Sequence, residues 1–420
     1  MSELKHKVIV VGGGAAGMMA AGTAAQAGAH VVLIERNDML GKKLAITGKG
    51  RCNVTNDCTW EDVMKNTPRN GRFLYSSLSA FTPADTMGFF EKRGCELKVE
   101  RGNRVFPTSD KSASVLSALR QFLKEEKVEI KQARVKNLLL RDGAVAGVET
   151  DCGNVYGRCV ILCTGGCSYP LTGSTGDGYD MARSVGHKIV TPRGSLVPLE
   201  EDGGWCARMQ GLALKNVEVK LINEKKKVCF EDFGELLFTH FGLSGPTILS
   251  ASAHMKPDER YEISIDLKPA LDEQKLDQRI LRDFDKYRNR NIDNALQDLY
   301  PKSMIPVMIE RAQIDPSVQT NSVTKQQRRC LLETTKNFRI KISGLRPVEE
   351  AIITSGGVSV KEVDPKTMRS KLVQGLYFAG EILDVDAYTG GFNLQIAWST
   401  AIAAGRAAGT GSDFEEERYE

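Results

Sequence analysis

Three glycines near the start of the chain have the spacing of a turn that binds a dinucleotide phosphate. They are Gly12, Gly14 and Gly17, and they follow the apolar run of residues 8–11. Gly12 permits the tight turn after a strand, Gly14 lets the backbone approach a pyrophosphate, and Gly17 lets the next helix pack closely. Free N–H groups at the start of that helix favour bound phosphate. The predicted phosphate site is Gly12, Gly13, Gly14, Ala15, Ala16 and Gly17.

An acidic residue lies where it can bind the ribose of the same dinucleotide. Glu35 follows a second apolar strand, residues 31–34, and stands 18 residues beyond Gly17. Its carboxylate can accept hydrogen bonds from both ribose hydroxyls, and its charge would repel the 2′-phosphate of NADP. This first site is therefore predicted to bind NAD or FAD, and Arg36 is assigned to it as well.

A second Gly-rich strand-to-helix junction, far down the chain, distinguishes FAD from NAD. The apolar run 376–379 leads into acidic sequence at 380–384, whose carboxylates suit the hydroxyl groups of a ribityl chain. Residues 390–395 then open an Ala-rich helix, whose N–H groups could face the N1 and C2=O edge of an isoalloxazine. We therefore expect FAD. The residues assigned to this half of the site are Gly380, Glu381, Asp384, Gly391, Phe392, Asn393 and Leu394.

Three long strings of residues point to one family. Residues 44–56, residues 238–246 and the junction at 380–395 together resemble the BaiN-like, aminoacetone-oxidase-type bacterial flavoproteins. The resemblance extends over nearly the whole chain. It implies that Gly12–Gly17 and Glu35 bind the ADP half of a non-covalently held FAD. It also implies contacts along the pyrophosphate, ribityl chain and flavin, from Lys43, Gly48, Gly50, Arg51, Cys52 and Asn53.

The fold of such flavoproteins implies two further cofactor contacts. Val135 lies in a predicted hairpin strand whose backbone would pass the adenine. Thr164, Gly165 and Gly166 follow an apolar strand and are similar to a second Gly turn, although a plain strand-ending turn is the alternative. Lys49 departs from the family pattern, because many relatives carry Gly at this position.

Candidate catalytic groups are few, and each has an alternative role. Arg51 could stabilise reduced flavin or bind an anionic substrate through two hydrogen bonds, or it could only bind cofactor phosphate. Cys52 could be an activated thiol, but a packed, unreactive cysteine is the favoured interpretation. His240, in a Phe- and Gly-rich turn, and Tyr388, close to the glycines at 390–391, are candidate proton donors. A purely structural role stays open for both.

The elements that position these residues follow an α/β pattern. Residues 8–35 have the pattern of strand, helix and strand, which is one βαβ unit. Apolar spacing predicts a helix around 115–123, and residues 134–151 alternate like a hairpin that turns at Asp142-Gly143. Short strand signals at 217–222, 228–230, 235–238 and 261–267 indicate a β-rich insertion. We predict a doubly wound Rossmann-type FAD-binding domain of residues 1–190 plus 350–420, a β-rich, barrel-like module of residues 191–267 plus 336–349, and a helical module of residues 268–335.

Composition limits the partners and the compartment. The 57 basic and 53 acidic residues leave a formal net charge of +4 over 420 residues, so no strong field attracts nucleic acid or lipid. Ten cysteines occur without a CxxC pair, which favours free thiols, and no metal site is predicted. The first seven residues are mostly polar, and the apolar run behind them is too short for a signal peptide or a membrane span. We expect a cytoplasmic bacterial protein.

The leading functional hypothesis is an FAD-dependent oxidoreductase. It would transfer hydride between NAD(P)H or an organic donor and a small acceptor with a C=C, C=O or C=N bond, or O2. NAD(P)H would bind transiently, because no second GxGxxG unit is visible, and the substrate is expected in a cleft between the FAD domain and the inserted modules. One alternative is a non-catalytic, flavin-bound regulator. The other is an RNA-acting flavoprotein similar to folate-dependent tRNA methyltransferases, supported by the basic residues Arg279, Arg282, Lys286 and Arg290 and the run 325–329.

Overall fold

The computed structural model describes residues 7–256 and 259–411. Contacts between residues divide the chain into two compact units, Met1–Ser195 with Val348–Glu420, and Leu196–Pro347. Each unit has its own hydrophobic core. The first unit, called the cofactor unit below, contains both glycine-rich junctions. The second, called the inserted unit, is a single continuous stretch of chain.

The described residues form the following strands and helices. The strands are β1 Lys7–Val11, β2 His30–Glu35, β3 Thr55–Asn56, β4 Leu97–Glu100, β5 Arg104–Pro107, β6 Glu129–Gln132, β7 Val135–Arg141, β8 Ala144–Thr150, β9 Gly153–Tyr156, β10 Cys159–Leu162, β11 Ile189–Ser195, β12 Leu199–Glu201, β13 Ala213–Asn223, β14 Val228–Phe238, β15 Gly242–Ser244, β16 Tyr261–Asp266, β17 Phe338–Leu345, β18 Ile353–Val358 and β19 Leu376–Phe378. The helices are α1 Ala15–Gln26, α2 Lys42–Ile46, α3 Trp60–Lys65, α4 Tyr75–Ala80, α5 Pro83–Glu91, α6 Ser112–Glu125, α7 Asp177–Ser184, α8 Trp205–Arg208, α9 Pro246–Ser252, α10 Glu273–Lys286, α11 Ile292–Ala295, α12 Ile305–Arg311, α13 Lys325–Lys336 and α14 Phe392–Thr410.

A five-stranded parallel sheet forms the centre of the cofactor unit. Its strand order is β19-β10-β1-β2-β6, and Val8 of β1 lies between Val31 of β2 and Cys159 of β10. The central strands are continuous apolar runs, because both faces of a parallel sheet are covered. Accordingly, residues 8–11, 31–34 and 159–162 are all buried. The doubly wound, Rossmann-type fold predicted from the sequence is confirmed.

Helices α1 and α14 pack on each other through small residues. A Cβ atom at Gly405 would lie 2.7 Å from the carbonyl oxygen of Ala20, and one at Gly409 would lie 2.5 Å from that of Ala24. Only glycine permits so close an approach of two backbones. The N-terminal βαβ unit and the C-terminal helix therefore share one core.

Three smaller sheets belong to the cofactor unit, with strand orders β3-β5-β4, β7-β8-β9 and β11-β18. The β7–β8 hairpin turns at Asp142 and Gly143, whose φ angles of +53° and +77° are the left-handed values that a two-residue hairpin turn requires. Helix α6 covers the predicted apolar spacing around 115–123. The predictions of this hairpin and this helix are confirmed.

The inserted unit contains a closed barrel with the strand order β12-β15-β14-β13-β16-β17. Its longest pair is β13 and β14, which are antiparallel. The sequence suggested two separate strands at 228–230 and 235–238, but these residues are one strand. The residues between them, Glu231, Asp232 and Phe233, are all exposed, and the two acidic residues suggest a loop when the sequence is considered alone. The barrel-like insertion predicted from the sequence is confirmed.

Helices α10, α12 and α13 of the same unit pack against the barrel. Leu276 and Ile280 of α10 and Leu331 of α13 share a hydrophobic core with Ile263 and Phe338 of the barrel. The residues predicted as a separate helical module thus lie in the same compact unit as the strands. Among the described residues, no helix has both the length and the apolar character needed to cross a membrane.

Candidate functional site

The glycine turn after β1 has the geometry of a phosphate site. Gly12 adopts a φ of +100°, and its Cβ would lie 2.6 Å from the carbonyl oxygen of Cys163. A Cβ at Gly17 would lie 1.7 Å from the carbonyl oxygen of Gly12, so both positions exclude a side chain. At Gly14, by contrast, no atom of a described residue lies within 4 Å of such a Cβ. Space beside Gly14 is therefore open at the start of α1, whose first turn has no acidic residue and no side-chain cap.

Glu35 is buried at the end of β2, beside this turn. One carboxylate oxygen accepts a hydrogen bond from Gly13 N at 2.6 Å, and the other accepts from Asn37 N at 2.8 Å and Asn37 Nδ2 at 2.7 Å. The sequence analysis missed Asn37, because an asparagine two residues after a strand carries no distinctive spacing. Arg36 is directed elsewhere, since its guanidinium binds Thr175 and Asp177. The structure therefore joins Glu35, but not Arg36, to the glycine turn.

Lys43 and Glu381, predicted independently as cofactor contacts, form an ion pair. Lys43 Nζ lies 2.7 Å from Glu381 Oε2 and donates a hydrogen bond to Ser168 Oγ at 2.8 Å. Glu381 Oε1 accepts from Ser168 Oγ and from Thr354 N. Thr354 Oγ1 in turn accepts from the N–H groups of Cys167 and Ser168. The predicted Gly turn at Thr164, Gly165 and Gly166 lies beside this network. A Cβ at Gly166 would lie 2.3 Å from Thr354 Oγ1.

The segment 47–53 is an unusual turn with four positive φ angles, at Gly48, Lys49, Gly50 and Cys52. Cys52 is fully buried, and burial raises the pKa of its thiol to about 12. The favoured interpretation of Cys52 as a packed cysteine agrees with this environment. All ten cysteines are free thiols.

Arg51, the proposed catalytic cation, is held by acidic partners that the sequence analysis did not identify. Its guanidinium donates two hydrogen bonds to Glu100, at 3.1 and 2.7 Å, and lies 3.2 Å from Asp110. It also lies over the ring of Phe106, 3.9 Å from the centroid. Because these partners are 49 or more residues away along the chain, no local spacing reveals them.

The second junction places the start of α14 next to β3. Gly391 has a φ of +100°, and its Cβ would lie 2.3 Å from the carbonyl oxygen of Thr55. Asn393 closes the preceding loop, because its side chain accepts from Ala387 N and donates to the carbonyl oxygens of Ala387 and Tyr388. Phe392 is buried and Leu394 is half-buried. As in α1, the first turn of α14 has no acidic residue and no side-chain cap.

Of the remaining predicted site residues, two contact the clusters above: a Cβ at Gly380 would lie 2.8 Å from the Cβ of Ala16, and the carbonyl oxygen of Tyr388 accepts from Asn393. Val135 begins β7 and is buried. Gly380 follows β19, and Asp384 is bound by Arg69 and Asn70, which the sequence analysis missed. His240 is exposed in the turn between β14 and β15 of the inserted unit, and Tyr388 is half-buried in the loop before α14.

Two buried polar atoms fit a bound dinucleotide. Asn53 Oδ1 and Thr164 Oγ1 are both buried without a hydrogen-bond partner among the described residues. A buried polar atom without a partner costs about 1–3 kcal/mol, so a bound group that supplied a partner would stabilise the protein. Together with the open space at Gly14 and the two uncapped helix starts, these atoms fit FAD.

The fold and the two glycine-rich junctions define a Rossmann-type flavoprotein. The model of the HI0933-like protein Rossmann domain family matches residues 6–407. The chain belongs to this family and is an FAD-dependent oxidoreductase. The resemblance to BaiN-like flavoproteins drawn from the sequence motifs is confirmed.

Two relatives match the chain over nearly its whole length. The 3-dehydro-bile acid Δ(4,6)-reductase of Clostridium scindens is 31% identical, over 96% of this chain and 99% of the relative. The ribosomal RNA dihydrouridine synthase of Escherichia coli is 30% identical, over 95% of this chain and 97% of the relative. Among solved structures, 3-ketosteroid Δ1-dehydrogenase of Sterolibacterium denitrificans has a TM-score of 0.50 at 13% identity, over 96% of this chain and 99% of that chain. That likeness shows the fold.

Proposed function

We propose that the protein reduces a C=C bond that is conjugated with a carbonyl group. The pair of full-length relatives carries this proposal. Their named substrates, a 3-oxo bile acid and uridine in ribosomal RNA, differ in size and charge, yet each named reaction saturates a ring C=C bond next to a carbonyl. A reaction common to such different substrates is expected to depend on the cofactor site that the relatives share.

The clusters described above suggest how this chain would hold FAD. We assign the pyrophosphate to the start of α1, the adenosine ribose to Glu35, and the ribityl chain to the Lys43–Glu381 network. The pyrimidine edge of the flavin is assigned to the start of α14, where N–H groups favour negative charge. Bound FAD supplies the hydride for the reduction.

Arg51 is assigned a supporting role in this scheme. Its hydrogen bonds to Glu100 and its stacking on Phe106 already use the fork and the face of the guanidinium. A bidentate pair between an arginine and a carboxylate has a well-defined geometry. These contacts would therefore fix the strained turn at 47–53 next to the cofactor. Binding of a substrate anion by Arg51 would require these contacts to open, so we favour the supporting role.

Tyr388 and His240 stay the candidate donors of the proton that completes the reduction. Tyr388 has the stronger support, because it lies two residues before Gly390 in the loop that leads into α14, where the flavin edge is assigned. The expected result is that Tyr388→Phe lowers turnover and alters its pH profile, with His240→Gln as the comparison. A larger loss in His240→Gln would assign the proton donor to the inserted unit.

The experiment that tests the proposed function is anaerobic reduction of the holoenzyme, first with NADH and then with NADPH. Rapid bleaching of the flavin absorbance would identify the electron donor. The reduced enzyme is then mixed with a 3-oxo-4-ene steroid, with a ribosomal RNA fragment, and with a saturated ketone as the control. The proposal predicts reoxidation by a C=C acceptor and none by the saturated ketone. Reoxidation by O2 alone would contradict it, and flavin that no donor reduces would favour a non-catalytic role.

RNA is the second candidate for the acceptor. The E. coli relative, whose name gives ribosomal RNA as its substrate, supports this candidate. The basic stripe on α10 gives weaker support, because Arg279 is paired with Asp283 and Lys286 with Asp298. A gel shift with ribosomal RNA that weakens steeply with salt would favour this candidate. Arg282→Glu, on the exposed face of α10, should then weaken binding, whereas the paired Arg279 should matter less.

A further inference from the structure

The loop between β19 and α14 is fastened to a short segment from a distant part of the cofactor unit. Tyr388 N donates to the carbonyl oxygen of Asn66 at 2.9 Å. Asn70 Nδ2 donates to the carbonyl oxygen of Asp384 at 2.6 Å and lies 3.1 Å from Asp384 Oδ2. Residues 66–70 therefore act as a support for the loop 384–391, which leads directly into the first turn of α14.

Arg69 supplies the charge in this support. Its Nη1 lies 3.1 Å from Asp384 Oδ1, and its Nε lies 3.5 Å from Asp386 Oδ1. The two carboxylates are only 9% and 3% exposed, whereas the Arg69 side chain is 32% exposed. Two buried carboxylates on one short loop repel each other unless a cation lies between them. Arg69 is placed to be that cation.

The other groups that face Asp386 complete the cluster. Ser195 Oγ donates to Asp386 Oδ2 at 2.8 Å, and Ser355 and Arg193 also lie close to this carboxyl. Burial raises the pKa of Asp386 against the opposing effect of both arginines. Among the described residues, Asp386 Oδ1 has no hydrogen-bond partner, although Arg69 Nε lies 3.5 Å away.

We propose that Arg69 is a positioning residue for the flavin, acting through the loop 384–391. By holding Asp384 and Asp386, it sets where the uncapped N–H groups at the start of α14 face the cofactor. Gly391 packs against the backbone of Thr55, and Asn393 closes the loop from the other side, so a shift of the loop would move the helix start. This inference rests on the proposed placement of FAD but not on the proposed acceptor.

The test is the two-electron reduction potential and the dissociation constant of FAD in the holoenzyme variants. Arg69→Gln is expected to weaken binding of reduced relative to oxidised flavin about tenfold, which is ~30 mV toward negative potential. Arg69→Lys should restore part of this change, because it keeps the charge without the planar fork. Asn70→Gly removes a neutral anchor and tolerates the φ of +55°. It should weaken binding of reduced relative to oxidised flavin about threefold, which is a shift of ~14 mV in the same direction.

The control is Arg183→Gln, which removes an exposed arginine paired with Asp180 in the same unit. It should leave the potential and the FAD affinity unchanged. An Arg69→Gln enzyme with the wild-type potential would overturn the proposal. A shift in Arg69→Gln with none in Asn70→Gly would also overturn it, because the effect would then be direct charge rather than position. If Arg69→Gln fails to fold, Arg69→Lys and Asn70→Gly decide. None of these measurements uses a C=C acceptor. The proposed function can therefore fail while this inference stands, and this inference can fail while the proposed function stands.

Discussion

Lys43 Nζ donates a hydrogen bond to Glu381 Oε2 at 2.7 Å, although the two residues are 338 positions apart in the sequence. The ion pair joins the start of α2 to the residue after Gly380, and Ser168 and Thr354 bind the same carboxylate. Four separate parts of the chain therefore meet at Glu381. This convergence makes the pair a direct test of the proposed cofactor site.

Lys43→Met is expected to lower the free energy of unfolding by about 1–3 kcal/mol, because Glu381 loses its charged donor in a largely buried place. Loss of bound FAD should accompany the change. The matched control is Lys42→Met, since Lys42 lies 3.6 Å from Asp38, whose side chain is 80% exposed. A surface pair of this kind contributes little, so the control should change stability by less than about 0.5 kcal/mol. Urea unfolding and flavin absorbance measure both effects, and equal losses in the two variants would contradict the assignment.

Glu35→Arg should abolish FAD binding, because it replaces the proposed ribose acceptor with a cation facing the N–H groups of Gly13 and Asn37. Glu129→Arg is the control, since Glu129 is exposed at the start of the neighbouring strand β6. Flavin content after purification, and after reconstitution with FAD, checks the result. Normal flavin content in Glu35→Arg would remove the basis for assigning Glu35 to the cofactor.

Lys49→Gly should stabilise the protein by about 0.5–1 kcal/mol, because Lys49 has a φ of +59°, a conformation unfavourable for any residue with a Cβ. Lys124→Gly, in the last turn of α6, should instead destabilise it by about 1 kcal/mol. Thermal unfolding of both variants would show midpoints that move in opposite directions. A lower midpoint for Lys49→Gly would mean that the lysine side chain makes a contact that compensates for the strain.

Cys52 should resist alkylation in the folded protein. Burial raises its pKa to about 12, so almost no thiolate is present near neutral pH, and the sulfur is not accessible. Cys152, which is exposed, provides the internal reference. Mass spectrometry after brief iodoacetamide treatment should find Cys152 modified and Cys52 unmodified. Modification of both cysteines at similar rates would show that Cys52 is a reactive thiol.

His187 should make the cofactor unit less stable in mild acid. Burial lowers the pKa of its imidazole, against the opposing effect of Glu362, while Nε2 lies 2.8 Å from Ser370 Oγ. As the pH falls through the ordinary histidine value of about 6.5, the unfolded chain takes up a proton that the folded one resists, so stability falls. Between about pH 7.5 and 5.5, wild type should lose about 1 kcal/mol more than His187→Gln. Urea unfolding at the two pH values measures the difference, and equal losses would show that another group controls it.

The parts of this protein that the sequence predicts are those encoded by local pattern. Continuous apolar runs predict parallel strands such as β1 and β10, and glycines at fixed spacing predict the turn before α1. The Asp142-Gly143 pair predicts a hairpin because both residues tolerate positive φ. The motif residues Lys43 and Glu381 were assigned to one cofactor, and the structure brings them into contact.

The missed contacts are those between residues that the fold, and not the local sequence, brings together. Three such residues are Glu100, which binds Arg51, Thr354, which binds Glu381, and Arg69, which pairs with Asp384 and Asp386. Nothing in the local sequence around each of them is distinctive. Their roles depend on the pairing of distant segments, which no spacing encodes. The sequence predicts two strands in place of β14 for a related reason. A charged stretch resembles a loop until the strand that pairs with it is known.

The position of β19 in the parallel sheet has a consequence for synthesis on the ribosome. β19 covers the outer edge of β10, and both it and α14 are translated after the whole of the inserted unit. Until they emerge, the strand Cys159–Leu162 is an uncovered apolar edge on the nascent chain, which is a site where chains aggregate. Elongation rate and chaperone access late in translation should therefore govern the yield of native protein.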